Sequence, residues 1–212
     1  MLTIWGRTSS VNVQKVLWCA EELGLRYERV DVGGAYGGNR EPSYLARNPN
    51  GRVPLLTEGD FAIWESNSIV RYLAARYGGG GQHGEGALWN NDPAERGLAD
   101  QWMDWQQTTL APPMTTVFWG HVRTPPERRD MVAIGQAARD AAAAWAIVEG
   151  HLARHEYLSG TRFGMGDIPA GAMAWRWFRL PVERPAMPAL SRWFDALQRR
   201  PGYRKWVMVE LT

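Results

Sequence analysis

Cysteine is the scarcest chemistry in this chain. A single Cys19 among 212 residues rules out an internal disulfide framework and fits a reducing compartment, read here as the cytoplasm. An excess of one charge sign is also missing, because a net charge of +2 is too small to argue for nucleic acid or an anionic membrane surface as partner. No apolar run approaches the roughly 20 residues that span a bilayer. Arg7 interrupts the opening Met1-Leu2-Thr3-Ile4-Trp5 too early for a secretory apolar region, so no membrane role is expected. With 45% hydrophobic and 22% charged residues, the composition is that of an ordinary globular protein, long enough for one domain or two small ones. Tryptophan is in excess, and twelve of them call for a large aromatic interior or a ligand pocket.

The pattern changes character once along the chain. Leu2 to Trp5 reads as a short buried strand, and Val13, Val16, Leu17, Ala20 and Leu23 recur at helical spacing until Gly24 stops them. Tyr27 to Val32 alternates like a strand, and Glu41 to Asn48 reads as a short helix with proline in its first turn. Pro54 to Thr57 and Ala62 to Trp64 bracket the turn Glu58-Gly59-Asp60, a hairpin signal. Ile69, Val70, Leu73, Ala74 and Tyr77 then form a helical stripe, completing the order β-α-β-α-β-β-α. Gly78 to Gly81, Gly84 and Gly86 mark a linker. From Asp92 onward no strand pattern survives. Helices are expected near Ala94 to Leu110, Glu127 to Arg154, Pro169 to Phe178 and Leu190 to Arg200, punctuated by Pro112-Pro113 and Pro125-Pro126. The expected architecture is α/β plus all-α, with domains at 1–81 and 92–212 and a linker at 82–91.

The most informative stretch is Asn48-Pro49-Asn50-Gly51-Arg52-Val53-Pro54, followed shortly by Trp64-Glu65-Ser66-Asn67. A proline opening a strand cannot donate to the ladder and belongs at an edge or a special bend. A cis Val53-Pro54 bond would turn the Val53 amide and carbonyl outward, free to pair with an extended ligand. Taken alone the proline favours trans, since only about one X-Pro bond in twenty is cis. Ser66 tips the balance toward a binding edge, because it opens a helix whose unpaired amides accept a carboxylate. Glu65 beside it can pair with an amino group. A ligand with an extended amide backbone, a free carboxylate and a free ammonium is implied, and the γ-glutamyl end of glutathione has all three.

With these residues in place the chain resembles the cytosolic glutathione transferase superfamily along nearly its whole length. Asn48 to Pro54 and Glu65-Ser66 match that family's glutathione-binding motifs. Tyr157-Leu158-Ser159-Gly160 and Phe163-Gly164-Met165-Gly166-Asp167-Ile168 match the structural signature around its N-capping box. Gly164 stands where the family usually has Ser or Thr, so a side-chain cap is lost although Asp167 remains, a departure that bears on stability more than activity. Trp5-Gly6-Arg7 and Val122-Arg123-Thr124-Pro125-Pro126-Glu127 are similar to the bacterial glutathione transferase B-like, nu-like and theta-like members. The resemblance implies a thioredoxin-like N-terminal domain, an all-helical glutathione-transferase C-terminal domain, glutathione as co-substrate and a homodimer.

Glutathione transfer needs a thiolate, and a thiol with pKa near 8.5 is only a few per cent ionised at pH 7, each tenfold gain in ionisation requiring about 1.4 kcal/mol of stabilisation. A helix N-terminus with one or two donors supplies this, and Thr8-Ser9-Ser10-Val11-Asn12 lies just before the first helix. The resemblance matches Ser10 to the catalytic serine of theta-like and zeta-like members and Asn12 to an asparagine of nu-like members. Ser9 is one residue of register away, and the alternative for Ser10 and Asn12 is a plain helix cap. By resemblance Glu65 and Ser66 take the γ-glutamyl end, Val53 and Pro54 the cysteinyl backbone, and Arg52 or Asn39 the glycyl carboxylate. Cys19 lies roughly 10 Å along the helix from Asn12 at about 1.5 Å per residue, too far to meet the same sulfur, and reads as a buried structural thiol. His151 and His155 have helical spacing for a metal pair but no third ligand, so they read as solvent-facing and no metal is expected.

A small electrophile is expected in a cleft between the domains, beside Trp5-Gly6-Arg7-Thr8, with Met114, Phe118 and Trp119 as lining residues and Trp102 and Trp105 in the core. Arg7 can attract an anionic substrate such as a haloacid. Three activities fit: transfer of glutathione by conjugation or dehalogenation, glutathione-dependent disulfide or peroxide reduction using two glutathiones, and a non-catalytic scaffold. The intact Ser10, Asn12, Val53-Pro54 and Glu65-Ser66 set argues against the last.

Overall fold

The computed structural model describes residues 1–78 and 88–212. The end of the expected first domain at 81 and most of the expected linker lie outside the described residues. The chain divides into two units, Met1–Asn90 with Pro201–Val209, and Asn91–Arg200 with Glu210–Thr212.

The first unit runs β1 (Leu2–Trp5), α1 (Val11–Glu22), β2 (Glu28–Val30), a 3-10 turn at Gly34–Tyr36, α2 (Pro42–Leu45), β3 (Leu55–Glu58), β4 (Phe61–Trp64) and α3 (Ser66–Tyr77). The sheet order is β2-β1-β3-β4, with β1 parallel to β2 and antiparallel to β3. Ile4 pairs with Leu56 and Trp5 with Leu55, so each pair faces one side of the sheet. Both Leu55 and Leu56 are buried, which requires cover on both faces. Leu55 packs with Val32 and Tyr44 of the α2 side, against Trp5, Val53 and Ala62. α1 and α3 pack against each other with Val13, Val16, Leu17, Ile69, Val70 and Leu73 all buried. α1 stops where Gly24 adopts φ 62°, with Leu25 donating to Ala20 and Gly24 to Glu21, the paired bonds of a Schellman cap.

One short element departs from the expected division. α9 (Pro201–Trp206), which sequence placed with the helical domain, packs on α1 in the first unit. Tyr203 meets the Trp18 ring edge-on at 4.8 Å, while Lys205 and Trp206 both bond the Glu21 carboxylate. Gly202 permits the approach, since a Cβ there would sit 3.0 Å from the Trp18 ring. Trp18 is fully buried, so the indole on this outer face of α1 is closed over by chain from the far C-terminus.

The second unit is helical throughout: α4 (Pro93–Trp105), α5 (Ala111–Phe118), α6 (Met131–Leu152), α7 (Asp167–Arg179) and α8 (Pro188–Gln198). Asp92 and Asp130 cap α4 and α6 by accepting two backbone amides each. Pro112-Pro113 does not end the first long helix as expected. The helix instead widens to π geometry at Gln106–Leu110 and continues, both prolines lying in the first turn of α5, where their missing donors are tolerated. Trp145, Trp177 and Trp193 are fully buried here, so much of the tryptophan excess is core. No helix among the described residues is long and apolar enough to cross a membrane.

Asp167 holds the middle of this unit. Its buried carboxylate accepts from the Leu158, Ser159 and Gly164 amides at 2.7, 3.2 and 3.1 Å, and from Trp193 Nε1 at 2.9 Å. Burial pushes its pKa up while these donors pull it down. α7 has no side-chain cap, as Gly164 implies, but Ser159 Oγ accepts the Gly166 amide instead. Asp167→Ala would leave several buried N–H groups unpaired, each costing about 1–3 kcal/mol. We expect a loss of at least about 3 kcal/mol in chemical denaturation, and a variant as stable as wild type would contradict this account.

Candidate functional site

The expected site residues of the first unit come from three chain segments that meet at the carboxyl end of β1. Gly6, at φ 149°, ends that strand, and a Cβ on it would lie 2.5 Å from Val13 Cγ2 and 3.2 Å from Val53 Cβ. Only glycine lets the Val53 segment approach the loop before α1 this closely.

That segment is fixed by side chains spent on its own backbone. The Arg52 carbonyl accepts from Tyr44 Oη and from Asn48 Nδ2, each at 2.7 Å. Asn48 is buried, and its Oδ1 accepts the Asn50 amide in an Asx turn. Asn39 donates to the Gly51 carbonyl at 2.7 Å, so its amide nitrogen braces the turn. Arg52 is exposed. The Val53-Pro54 bond is cis, settling the alternative that sequence left open. The Val53 amide and carbonyl pair with no described residue, leaving one donor and one acceptor at the edge.

α1 begins at Val11 with Ser10 as its N-cap. The Ser10 hydroxyl makes no capping bond, so the plain-cap alternative does not describe it. Asn12 sits in the first turn, half-buried, and its Oδ1 accepts from Ser66 Oγ at 3.3 Å. That contact leaves the Asn12 amide nitrogen as a donor at the same helix end as the Ser10 hydroxyl.

The third segment turns from β4 into α3. Glu65 has φ 71° and ψ 114°, a conformation L residues avoid, and its side chain gives α3 no cap. Glu65 therefore supplies no acceptor to the first amides of α3, and the dipole favours an anion there. Beneath them lies a residue that sequence reasoning missed. Lys15 is 0% exposed, with Nζ 3.2 Å from Asn67 Oδ1 and 3.5 Å from Ser66 Oγ. No local signal marks it, because Gln14 and Lys15 read as the polar face of an amphipathic helix, yet both are buried.

Arg7 is half-buried, its stem lying along the 33–34 loop, where a Cβ on Gly34 would come within 3.0 Å of its Cδ and Nε. Cys19 is fully buried, and burial pushes its thiol pKa up, so it is no nucleophile. A cavity of about 230 Å³ opens on the α2 face of the sheet between Trp5, Tyr44 and Arg47, but none of the expected catalytic or anion-binding residues lines it.

In the second unit the expected lining residues separate. Met114 and Phe118 are buried, Phe118 carrying the Arg176 guanidinium 3.7 Å above its ring, whereas Trp119 is 58% exposed. Met114 and Phe118 fall on the buried face of α5. Trp102 is buried and Trp105 half-buried. His151 is not solvent-facing as expected: it is half-buried between Trp102 and His155, with Nε2 3.2 Å from the Tyr157 carbonyl.

Residues 1–75 match the family described as Glutathione S-transferase, N-terminal domain, and residues 110–201 match Glutathione S-transferase, C-terminal domain. Glutathione S-transferase GstB of Escherichia coli strain K12 is 42% identical over 214 residues, covering 100% of both chains. Glutathione S-transferase 3 of Zea mays is 30% identical and covers 97% of this chain and 93% of its own. The crystal structure of the theta class glutathione S-transferase from the citrus canker pathogen Xanthomonas axonopodis pv. citri, with glutathione bound, superposes with a TM-score of 0.93 at 49% identity. It covers 100% of this chain and 99% of that one.

The Glu65 conformation costs about 1–3 kcal/mol, and glycine's extra unfolded freedom about 0.5–1 kcal/mol. Glu65→Gly is expected to stabilise the protein by about 1 kcal/mol in denaturant titrations, and a net loss would show that the backbone there is not strained.

Proposed function

Because the chain belongs to the glutathione S-transferase family, with glutathione as co-substrate, we propose that the three segments at the end of β1 hold glutathione and ionise its thiol for attack on a small electrophile. The observation that carries this reading is a Ser10 hydroxyl that makes no capping bond, two residues before Asn12 at the start of α1, with Asn12 bonded to Ser66 of an α3 N-terminus also without a side-chain cap. Val53, just before the cis bond, offers its amide and carbonyl to the cysteinyl part. The α3 amides, that of Ser66 among them, take the γ-glutamyl carboxylate and Glu65 its ammonium. Exposed Arg52 is the candidate for the glycyl carboxylate, because Asn39 is occupied in the turn.

In the proposed reaction the thiol loses its proton to solvent, and Ser10 and Asn12 stabilise the sulfur anion. The thiolate forms a C–S bond, and the leaving group, a halide in dehalogenation, departs with the bonding electron pair. Arg7, beside the same helix end, favours an anionic electrophile such as a haloacetate. Trp119 is the remaining exposed candidate for electrophile contact in the helical unit. Reduction of a disulfide would use two glutathiones, since buried Cys19 supplies no thiol. We further propose that the protein is a cytoplasmic homodimer. Phe61, 43% exposed against Tyr72, and Leu98, 56% exposed on α4, are apolar surface that a second copy would cover.

Calorimetry with glutathione, followed by turnover against an aryl halide, a haloacetate and a mixed disulfide, tests this reading. Binding with thiol transfer to a halide supports it. Absence of glutathione binding would overturn it. Removing a hydrogen bond to a charged group costs about 1.5–3 kcal/mol, so Ser10→Ala or Asn12→Ala should lower kcat/KM about 10- to 100-fold. Glutathione affinity should change little, and the pH–rate profile should move to higher pH because the thiolate loses a donor. Unchanged profiles in both variants would remove these residues from the mechanism.

A further inference from the structure

We propose that Lys15 is a positioning residue that makes the α3 anion site selective for an ionised carboxylate, acting through Ser66 and Asn67 without touching the ligand. This rests on the glutathione reading of the site. Lys15 lies in α1, one turn beyond Asn12, and its side chain is wholly buried. An ammonium donates only, so the two oxygens it faces must accept: Ser66 Oγ at 3.5 Å and Asn67 Oδ1 at 3.2 Å. With a lone pair turned to Lys15, the Ser66 hydroxyl donates to Asn12 Oδ1 at 3.3 Å. The polarity of the chain Lys15, Ser66, Asn12 is therefore set at one end by a group that cannot reverse. The Asn12 oxygen is committed to Ser66, which leaves its amide nitrogen for the thiol.

The charge acts in a second way. A helix N-terminus carries about half a positive charge, and its amides will also bond a neutral carbonyl. A buried ammonium next to the first two residues of α3 adds a full unit charge in a poorly solvated place, where screening is weak. A carboxylate gains from both fields, whereas a carboxamide of the same shape gains only the hydrogen bonds. The α3 amides thus supply geometry, and Lys15 supplies the preference for charge.

The test compares three ligands by calorimetry: glutathione, its analogue with the γ-glutamyl carboxylate replaced by a carboxamide, and its analogue with the glycyl carboxylate so replaced. Wild type is expected to bind the γ-glutamyl carboxamide at least 30-fold more weakly than glutathione. Lys15→Gln keeps donors for Ser66 and Asn67 but removes the charge. It should bind glutathione about tenfold or more weakly and reduce the γ-glutamyl discrimination to a few-fold, with the glycyl ratio unchanged. Lys15→Arg should restore the discrimination. Most of the steady-state effect should fall on KM for glutathione rather than on kcat. Equal γ-glutamyl ratios in wild type and Lys15→Gln would overturn the inference, as would a matching fall in the glycyl ratio. Lys15→Met provides the same charge removal with an apolar side chain should Lys15→Gln not fold. If wild type binds no glutathione, the functional reading itself fails, a distinct result.

Discussion

The hydrogen bonds that join the first turns of α1 and α3 are the constraint from which the site follows. Asn12, Ser66, Lys15 and Asn67 form one connected set, with Lys15, Ser66 and Asn67 buried. Two helix N-termini directed toward one region repel each other through their dipoles, so they need a polar link and an apolar clamp. Val13, Val16 and Leu17 against Ile69, Val70 and Leu73 supply the clamp. The result is a place where one ligand can meet two positive helix ends.

Unfavourable local geometry is concentrated around the same place. Glu65 occupies a backbone region usually left to glycine, and Gly6 has no room for a side chain because Val13 and Val53 crowd it. The surrounding structure offsets this by committing Tyr44, Asn48 and Asn39 to the backbone of the turn before Val53. Such bracing is expected where backbone groups rather than flexible side chains recognise a ligand. Outside the site, α9 closes over Trp18, and Asp167 gathers amides from the 158–164 loop together with the Trp193 indole.

Much of this is legible in the sequence, for reasons that differ by region. Strands and helices of the first unit carry strong apolar periodicity with glycine stops, so the pattern places β1, α1, the β3–β4 hairpin and α3 nearly at their observed bounds. The Val53-Pro54 and Glu65-Ser66 motifs stand out because they occur together, although a proline opening a strand or a serine opening a helix is common when taken alone. What escapes the sequence depends on long-range packing. Lys15 looks like a surface lysine until α3 covers it. Met114 and Phe118 look available until α5 turns them inward, and nothing local indicates that residues beyond Pro201 return to α1. Pro112-Pro113 reads as a break because widening of the preceding turn leaves no local mark.

In the proposed mechanism the first turn of α1 holds the bound thiol as a thiolate. Titrating the ultraviolet thiolate absorbance of glutathione bound to the wild-type protein measures this directly. An apparent pKa at least about one unit below the ordinary thiol value near 8.5 is expected, equivalent to about 1.4 kcal/mol or more of stabilisation. A bound thiol that titrates at its free value would contradict it.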